Sequence, residues 1–311
     1  MIITVTLNPA IDKTIVINDF RINSVNRISS TRLDAGGKGI NVSKTILTLN
    51  GKSKAIGIAA GNAGRFIQDY LNAVNIEQDF VSISGETRTN IKIIDPVNKT
   101  NTDINEAGPD ILMDDLESVK NKLLSGIDDK SVVVFSGSVP SNVPNEVYRQ
   151  WIASAKEKGA KTILDADGDL LKLALEASPY MIKPNIHELE RLFNKKINTI
   201  EDAIEIAVEI INKYKVENVV ISMGEKGALF IKKDCYVLAH GLKVEVKSTV
   251  GAGDAMVAAL AYSIDQGYSF EDTIKLAVAC GTANVMTSGT EPSTLETIMQ
   301  LEKQVTWEFI Q

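Results

Sequence analysis

From about residue 110 onward, short apolar runs alternate with amphipathic segments, and that alternation restricts the fold more than any other feature of the chain. "DDLESVKNKLL" precedes "SVVVFSGS", and "NEVYRQWIASAKEKG" precedes "AKTILDA". Helical patterns around "HELERLF" and "EDAIEIAVEIINKY" then lead into "VENVVISMG". The apolar runs are rich in β-branched residues, uncharged in their centres and of strand length, as strands buried on both faces must be. Strands joined by helix-length crossovers lie parallel, so the expected class is α/β with a mostly parallel sheet covered by helices on both faces. "GALFIKKDCYVLAH" reads as a pair of strands, and the end of the chain reads as helical over 252–265, 270–287 and 294–303.

The first third departs from this beat. "IITVTL" reads as a buried strand, but "TIVI", "FVSI", "NIKIID" and "TNTDIN" are short extended pieces between turn residues, with no helix to cross between them. They are expected to form one small sheet that interrupts the α/β unit, over about 13–34 and 79–106. Between them, a helix opened by "GGKGINVS" carries Ile40, Val42, Ile46, Leu47 and Leu49 and stops at Gly51. "KAIGIAAG" and "AGRFIQDYLNAV" add a strand and a helix. No repeat or low-complexity linker divides the chain, so residues 1–311 are expected to be one domain with a discontinuous lid.

Several function classes fall away. A net charge of −7 argues against a general nucleic-acid binder. Cys235 and Cys280 stand far apart, and with only His187 and His240 neither a zinc pattern nor a histidine-based triad is available. "MIITVTLNP" is too short and lacks the basic lead of an export signal, and no stretch is long and apolar enough to span a membrane. The cytoplasm is the expected compartment. The glycines around Gly57, Gly61 and Gly64 make no dinucleotide fingerprint, and "GKS" at 51–53 lacks the upstream glycine of a P-loop.

What remains are polar clusters at the junctions between elements. In "TVGAGDAMVAAL", Gly251 and Gly253 flank Ala252 and permit close backbone approach, and the helix that follows turns its positive end toward the same point. Asp254 there is expected to be ionised, held so by the helix dipole, and able to accept a hydroxyl proton; a helix-capping aspartate explains it equally well alone. Gly37, Lys38 and Asn41 in "AGGKGINVS" suit a polar ligand or a tight turn with a solvated lysine. Asn185 and Glu188 in "KPNIHELERL" either orient a hydrated Mg²⁺ or cap their own helix, and Lys183 before them suits a phosphate. Asp12, at the end of the first strand's turn "NPAID", suits sugar hydroxyls. Arg27, Arg88 and Asn90 belong to the small sheet, where either arginine can fork onto a phosphate or stand as a surface charge. Ser222, Gly224 and Gly227 end a strand in a turn that flanks a nucleotide or closes a hairpin.

Taken together and in this order, the motifs resemble one family. "GGKGINVS" and "STVGAGDAMVAAL" resemble the paired markers of the PfkB/ribokinase carbohydrate kinases. "TLNPAID", "VNR", "TRTNIK", "SGSVP" and "KPNIHELE" are similar to the branch that includes 1-phosphofructokinase and tagatose-6-phosphate kinase. The resemblance implies a ribokinase-like three-layer αβα sandwich with a small β-sheet lid. It implies transfer of a phosphoryl group from ATP, with Mg²⁺, to a phosphorylated ketohexose. Fructose 1-phosphate comes first among the expected sugars, ahead of tagatose 6-phosphate or fructose 6-phosphate; a non-catalytic sugar or nucleotide sensor is the reading from another class. The resemblance places Asp254 as base and Gly251, Ala252 and Gly253 as anion hole. It places Asp12, Gly37, Lys38, Asn41, Arg88, Asn90, Ser138 and, from a partner's lid, Arg27 at the sugar. Lys183, Ser222, Gly224, Gly227 and Asn284 line the nucleotide, Asn185 and Glu188 the metal, and a homodimer forms through the lid. Asp167 and Ala255 depart from residues common in the family, Asp167 near the expected nucleotide.

Overall fold

The computed structural model describes residues 1–310. The strands are β1 (Ile2–Thr6), β2 (Ala10–Val16), β3 (Ser30–Gly36), β4 (Ser53–Ala60), β5 (Glu77–Ile83), β6 (Arg88–Asp95) and β7 (Thr100–Asn105). They continue with β8 (Val132–Ser136), β9 (Lys161–Asp165), β10 (Met181–Ile182), β11 (Asn218–Ser222), β12 (Gly227–Lys232), β13 (Cys235–His240) and β14 (Trp307–Phe309). The helices are α1 (Lys38–Thr48), α2 (Gly61–Ala73), α3 (Met113–Ser125), α4 (Val147–Glu157) and α5 (Gly168–Ala174). They continue with α6 (Ile186–Phe193), α7 (Ile200–Tyr214), α8 (Ala252–Gln266), α9 (Phe270–Val285) and α10 (Leu295–Glu302).

Ten strands form the large sheet in the order β14-β13-β12-β11-β10-β9-β8-β1-β4-β5. From β11 to β5 every pairing is parallel, and the three strands beyond β11 turn antiparallel. β1 and β8 are buried at every residue, because helices cover both faces. On one face Leu116, Trp151, Leu170 and Ile206 of α3, α4, α5 and α7 pack over Ile3, Val5 and Phe135. On the other, Val42 and Ile46 of α1 join Val257 and Leu260 of α8 and Ala279 of α9 over Ile2 and Val134. Small residues dominate α8 and α9, which lets the two helices pack closely against each other and α8 against α1. The result is the three-layer αβα sandwich.

The second sheet has four strands in the order β3-β2-β6-β7. It aligns Asp12 with Asp34 on one side and with Asn90 on the other. One assignment from the sequence is corrected here: "FVSI" lies in β5, which pairs in parallel with β4 at the edge of the large sheet rather than in the small one. Only Phe80 of β5 is buried, so the strand lies at the edge of the large sheet with most of its residues partly or fully exposed, much as a lid strand would be. β14, short and half exposed, has no clear periodic signal and was not expected.

Candidate active site

The parallel strands end on a common line, and polar side chains collect there. β9 ends in Asp165 and β10 leads into Lys183, both buried. Asp165 Oδ2 accepts a hydrogen bond from Lys38 Nζ at 3.2 Å, and Lys183 Nζ stands 3.2 Å from Oδ1, an ion pair out of line for a directed bond. Burial alone would raise the Asp165 pKa; Lys183 and Lys38 outweigh it and hold the carboxyl below its usual range. Burial likewise works against the Lys38 charge, but Asp165, Asp254 and Glu188 together raise its pKa well above normal. Lys38 therefore stays charged, and both lysine side chains are held against Asp165.

Asp254 sits in the first turn of α8 and is only 6% exposed. Its Oδ2 accepts a 2.9 Å hydrogen bond from Asn41 Nδ2. The N-cap of α8 is Gly251, in the left-handed region at φ 84°, and no side chain caps the helix. α1 to α4 also begin without a side-chain cap, whereas α5, α6, α7, α9 and α10 each have one. The first N–H groups of α8 thus face the cleft without an internal partner, which is the requirement for an anion hole. Gly253 leaves room for Lys183, since a Cβ there would stand 3.3 Å from its Nζ.

Asp254 is ionised at neutral pH as expected, but what sets its proton affinity is not the expected cause. The helix dipole was expected to keep the acid at a low pKa. Instead burial dominates and, with Asp165 nearby, raises it to about 6 against the pull of Lys38, Asn41 and Lys183. At pH 7 about nine-tenths of the carboxyl is still ionised. A base with a pKa close to the working pH is also the more effective one.

A residue not singled out from the sequence stands behind this pair. Lys44, 4% exposed, lies one helical turn after Asn41, with Nζ 3.5 Å from Asn41 Oδ1. The same ammonium donates to the Ala35 carbonyl and lies 5.3 Å from the centre of the Tyr70 ring. It thereby fixes which end of the Asn41 amide points at Asp254. Burial lowers the Lys44 pKa to about 8, with Asp34 and Asp12 opposing. Asp165 was also missed, although an acid closing a buried parallel strand is a legible signal. Lys44 offered none, since α1 is buried through Gly39–Ile46 and its pattern does not mark one face.

The lid supplies the opposite wall. Asp12 Oδ1 accepts from Asn90 Nδ2 at 3.1 Å, and burial raises the Asp12 pKa despite that bond. Gly36 makes room for this carboxylate, because a Cβ there would stand 2.2 Å from Oδ2. Arg88 donates to the carbonyls of Asn8 and Glu106. Seven buried polar atoms around the cleft have no hydrogen-bond partner within the described residues: Thr6 Oγ1, Asn8 Oδ1, Arg88 Nε, Asn90 Oδ1, Ser136 Oγ, Asn284 Oδ1 and Asp165 Oδ1, the last only ion-paired with Lys183. Such groups are costly unless a polar ligand or water completes them.

The remaining expected residues divide. Gly37, at φ 115°, turns the chain into α1. Ser138 is exposed, with its hydroxyl 3.4 Å from Asn8 Nδ2. Ser222 bridges to Asn185 and brings the β11 turn beside α6. Gly224 is exposed and open. Gly227 is explained by the fold, since a Cβ would stand 2.0 Å from the Ala239 carbonyl oxygen. Asn284 is buried against the Gly251 turn and donates to the Glu291 carbonyl. Arg27 is exposed on the connection between β2 and β3. Asp167 caps α5 and pairs with Arg191, and Ala255 is core.

Asn185 and Glu188 form a reciprocal capping box, so the structural reading of that motif holds. It occupies Asn185 Oδ1 and Glu188 Oε2. Among the described residues no group of three His, Cys, Asp or Glu side chains comes together as a metal cage. Glu188 retains one carboxylate oxygen, which fits a hydrated Mg²⁺ whose other ligands are waters and phosphates, and does not fit an all-protein site.

An acid in the first turn of an uncapped helix, beside two fixed lysines, is the arrangement phosphoryl transfer requires. The pfkB family carbohydrate kinase profile matches residues 5–298. The chain belongs to that family. Its similarity to the 1-phosphofructokinase of Borreliella burgdorferi is 40% identity over 92% of each chain. To the tagatose-6-phosphate kinase of Staphylococcus epidermidis it is 33% over 98% of each. Phosphofructokinase-2 from Escherichia coli, solved with substrates and products, superposes with a TM-score of 0.93 at 28% identity, covering 97% of this chain and 98% of that one. This pfkB-family chain is a phosphosugar kinase, and membership implies ATP as the phosphoryl donor. No helix among the described residues is long and apolar enough to cross a membrane.

Proposed function

We propose that this kinase transfers the γ-phosphoryl group of ATP to the free primary hydroxyl of fructose 1-phosphate, giving fructose 1,6-bisphosphate and ADP. The observation that carries the reading is the buried Asp254 carboxylate, aimed by Asn41 at the mouth of an uncapped helix. Asp254 takes the hydroxyl proton as the oxygen attacks phosphorus, and the bond to the ADP oxygen breaks on the far side. The Gly251–Gly253 amides and the fixed charges of Lys38 and Lys183 meet the negative charge on the moving phosphoryl oxygens. Asp12 and Asn90 hold the sugar hydroxyls, and Arg88, with its partnerless Nε, meets the phosphate already present. Mg²⁺, entering with ATP beside Glu188, would neutralise charge on the phosphates.

Relatives at 33–40% identity include kinases of both sugar types, so the sugar is what needs testing. Steady-state kinetics with fructose 1-phosphate, tagatose 6-phosphate and fructose 6-phosphate should give the highest kcat/KM for the first. Preference for either of the others would reject it.

We further propose that two chains associate through the lid. The face opposite Asp12 buries only Ile15, Ile17 and Ile93, while Leu33 and Ile104 remain about half exposed. An apolar sheet face of this kind needs a cover. Arg27, exposed on the lid, is then available to the sugar phosphate of the second copy.

A further inference from the structure

A second cleft lies at the opposite end of the large sheet. Its walls include Lys161 and Asn218, which open β9 and β11, Lys232, which closes β12, and Ser263 near the end of α8. Asp254 is in the first turn of α8, so Ser263 lies roughly 14 Å further along the helix from the active-site acid. Phe270, at the start of α9, and Tyr180 complete the lining.

Three features mark this cleft as more than a packing gap. Lys161 Nζ lies 5.0 Å from the Tyr180 ring centre, and Lys232 Nζ lies 3.8 Å from that of Phe270. Among the described residues neither ammonium has a carboxylate partner, although Glu217 exerts a weak field on Lys232. Burial lowers the Lys232 pKa, and an anion would restore it. Ser263 is 1% exposed and its hydroxyl has no hydrogen-bond partner among the described residues. A buried hydroxyl without a partner is costly, so its retention calls for one. The space is about 180 Å³, the volume of roughly six waters. Phe230 and Leu260 give it an apolar wall.

We propose that this cleft binds a small organic anion, a carboxylate or phosphate ester of a few carbons. Its charged head lies between Lys161 and Lys232, one oxygen accepts from Ser263, and its carbon body rests on Phe230 and Leu260. The aromatic rings restrict both lysines before the ligand arrives, which reduces the ordering cost of binding.

Calorimetric titration of the full chain with 2-phosphoglycolate and, separately, malonate tests the site. Parent and Lys161→Gln/Lys232→Gln share an unaltered active site, so the difference between their isotherms isolates the cleft. For at least one probe the double variant should bind about ten- to hundredfold more weakly in this component. Ser263→Ala, a conservative change within α8, should weaken the same component by a smaller factor. Both variants should keep the parent's kcat in anion-free buffer. If neither probe shows a component sensitive to the lysine pair or to Ser263, the cleft is not an anion site.

Discussion

The large sheet and the lid sheet form opposite walls of one cleft, but they are built to different standards. On the large-sheet side Asp165, Lys183 and Asp254 are each less than a tenth exposed, and their charges are balanced against one another in a packed interior. On the lid, β7 is exposed along its whole length, and three isoleucines make up the buried apolar cluster. At about 1.5–3 kcal/mol for each buried side chain, that cluster cannot hold a four-stranded sheet in place alone. The lid is tied down by polar links to the body, including Arg88 to the Asn8 carbonyl and Arg32 to Glu291. On the proposed reading, the groups that act on the moving phosphoryl lie in the packed wall, while Asp12, Asn90 and Arg88, proposed to meet the sugar phosphate, lie on the lightly packed one.

The largest expected effect falls on the packed side. Asp254→Asn should lower kcat by about 10²- to 10⁴-fold with little change in either KM, as measured by steady-state kinetics. A variant turning over near the parent rate would remove Asp254 from its role. In the parent, kcat should fall as pH drops through about 6, where the base becomes protonated. Stability should move the other way. Because the folded pKa is raised above the ordinary aspartate value of 3.8, the folded state binds the extra proton between about 4 and 6. This carboxyl's contribution to stability is therefore greatest below pH 4 and declines as pH rises through 6. Asp254→Asn should lose that slope and melt higher than the parent at pH 8; a lower melting temperature there would contradict the assigned cost of burial.

A smaller effect is expected on the lid. Arg88→Ala should raise KM for the sugar phosphate about ten- to hundredfold and leave KM for ATP nearly unchanged. Equal rises in both would mean that the arginine only braces the lid, and the division between the two walls would fail. Smallest of all, Ile104→Lys should shift sedimentation toward the single chain and raise the sugar KM less than Arg88→Ala does. No change in sedimentation would reject association through this face.

How much of this was legible in advance follows from the range of each interaction. The Asn185–Glu188 capping box joins residues three apart and could be read directly from "KPNIHELERL". The glycine turn before α8 was equally local. The assignment of 80–83 was not, because a short extended piece at the edge of either sheet reads the same and only its pairing with β4 decides between them. Lys44 was hidden for a related reason: a lysine on a helix usually faces water, and only the packing of α1 on all sides buries it.

By itself the sequence determined the alternating elements, the flexible turn before α8 and the polar residues near the strand ends, since each depends on neighbours a few positions away. The tertiary structure alone decided that Lys38 and Lys183 would share Asp165, and that Asn41 would reach Asp254 from a helix 213 positions earlier. It also decided that burial, rather than the local helix field, would set the acid's affinity for its proton. Coulombic and desolvation energies follow distance and solvent access through space, and chain order fixes neither until the fold has closed.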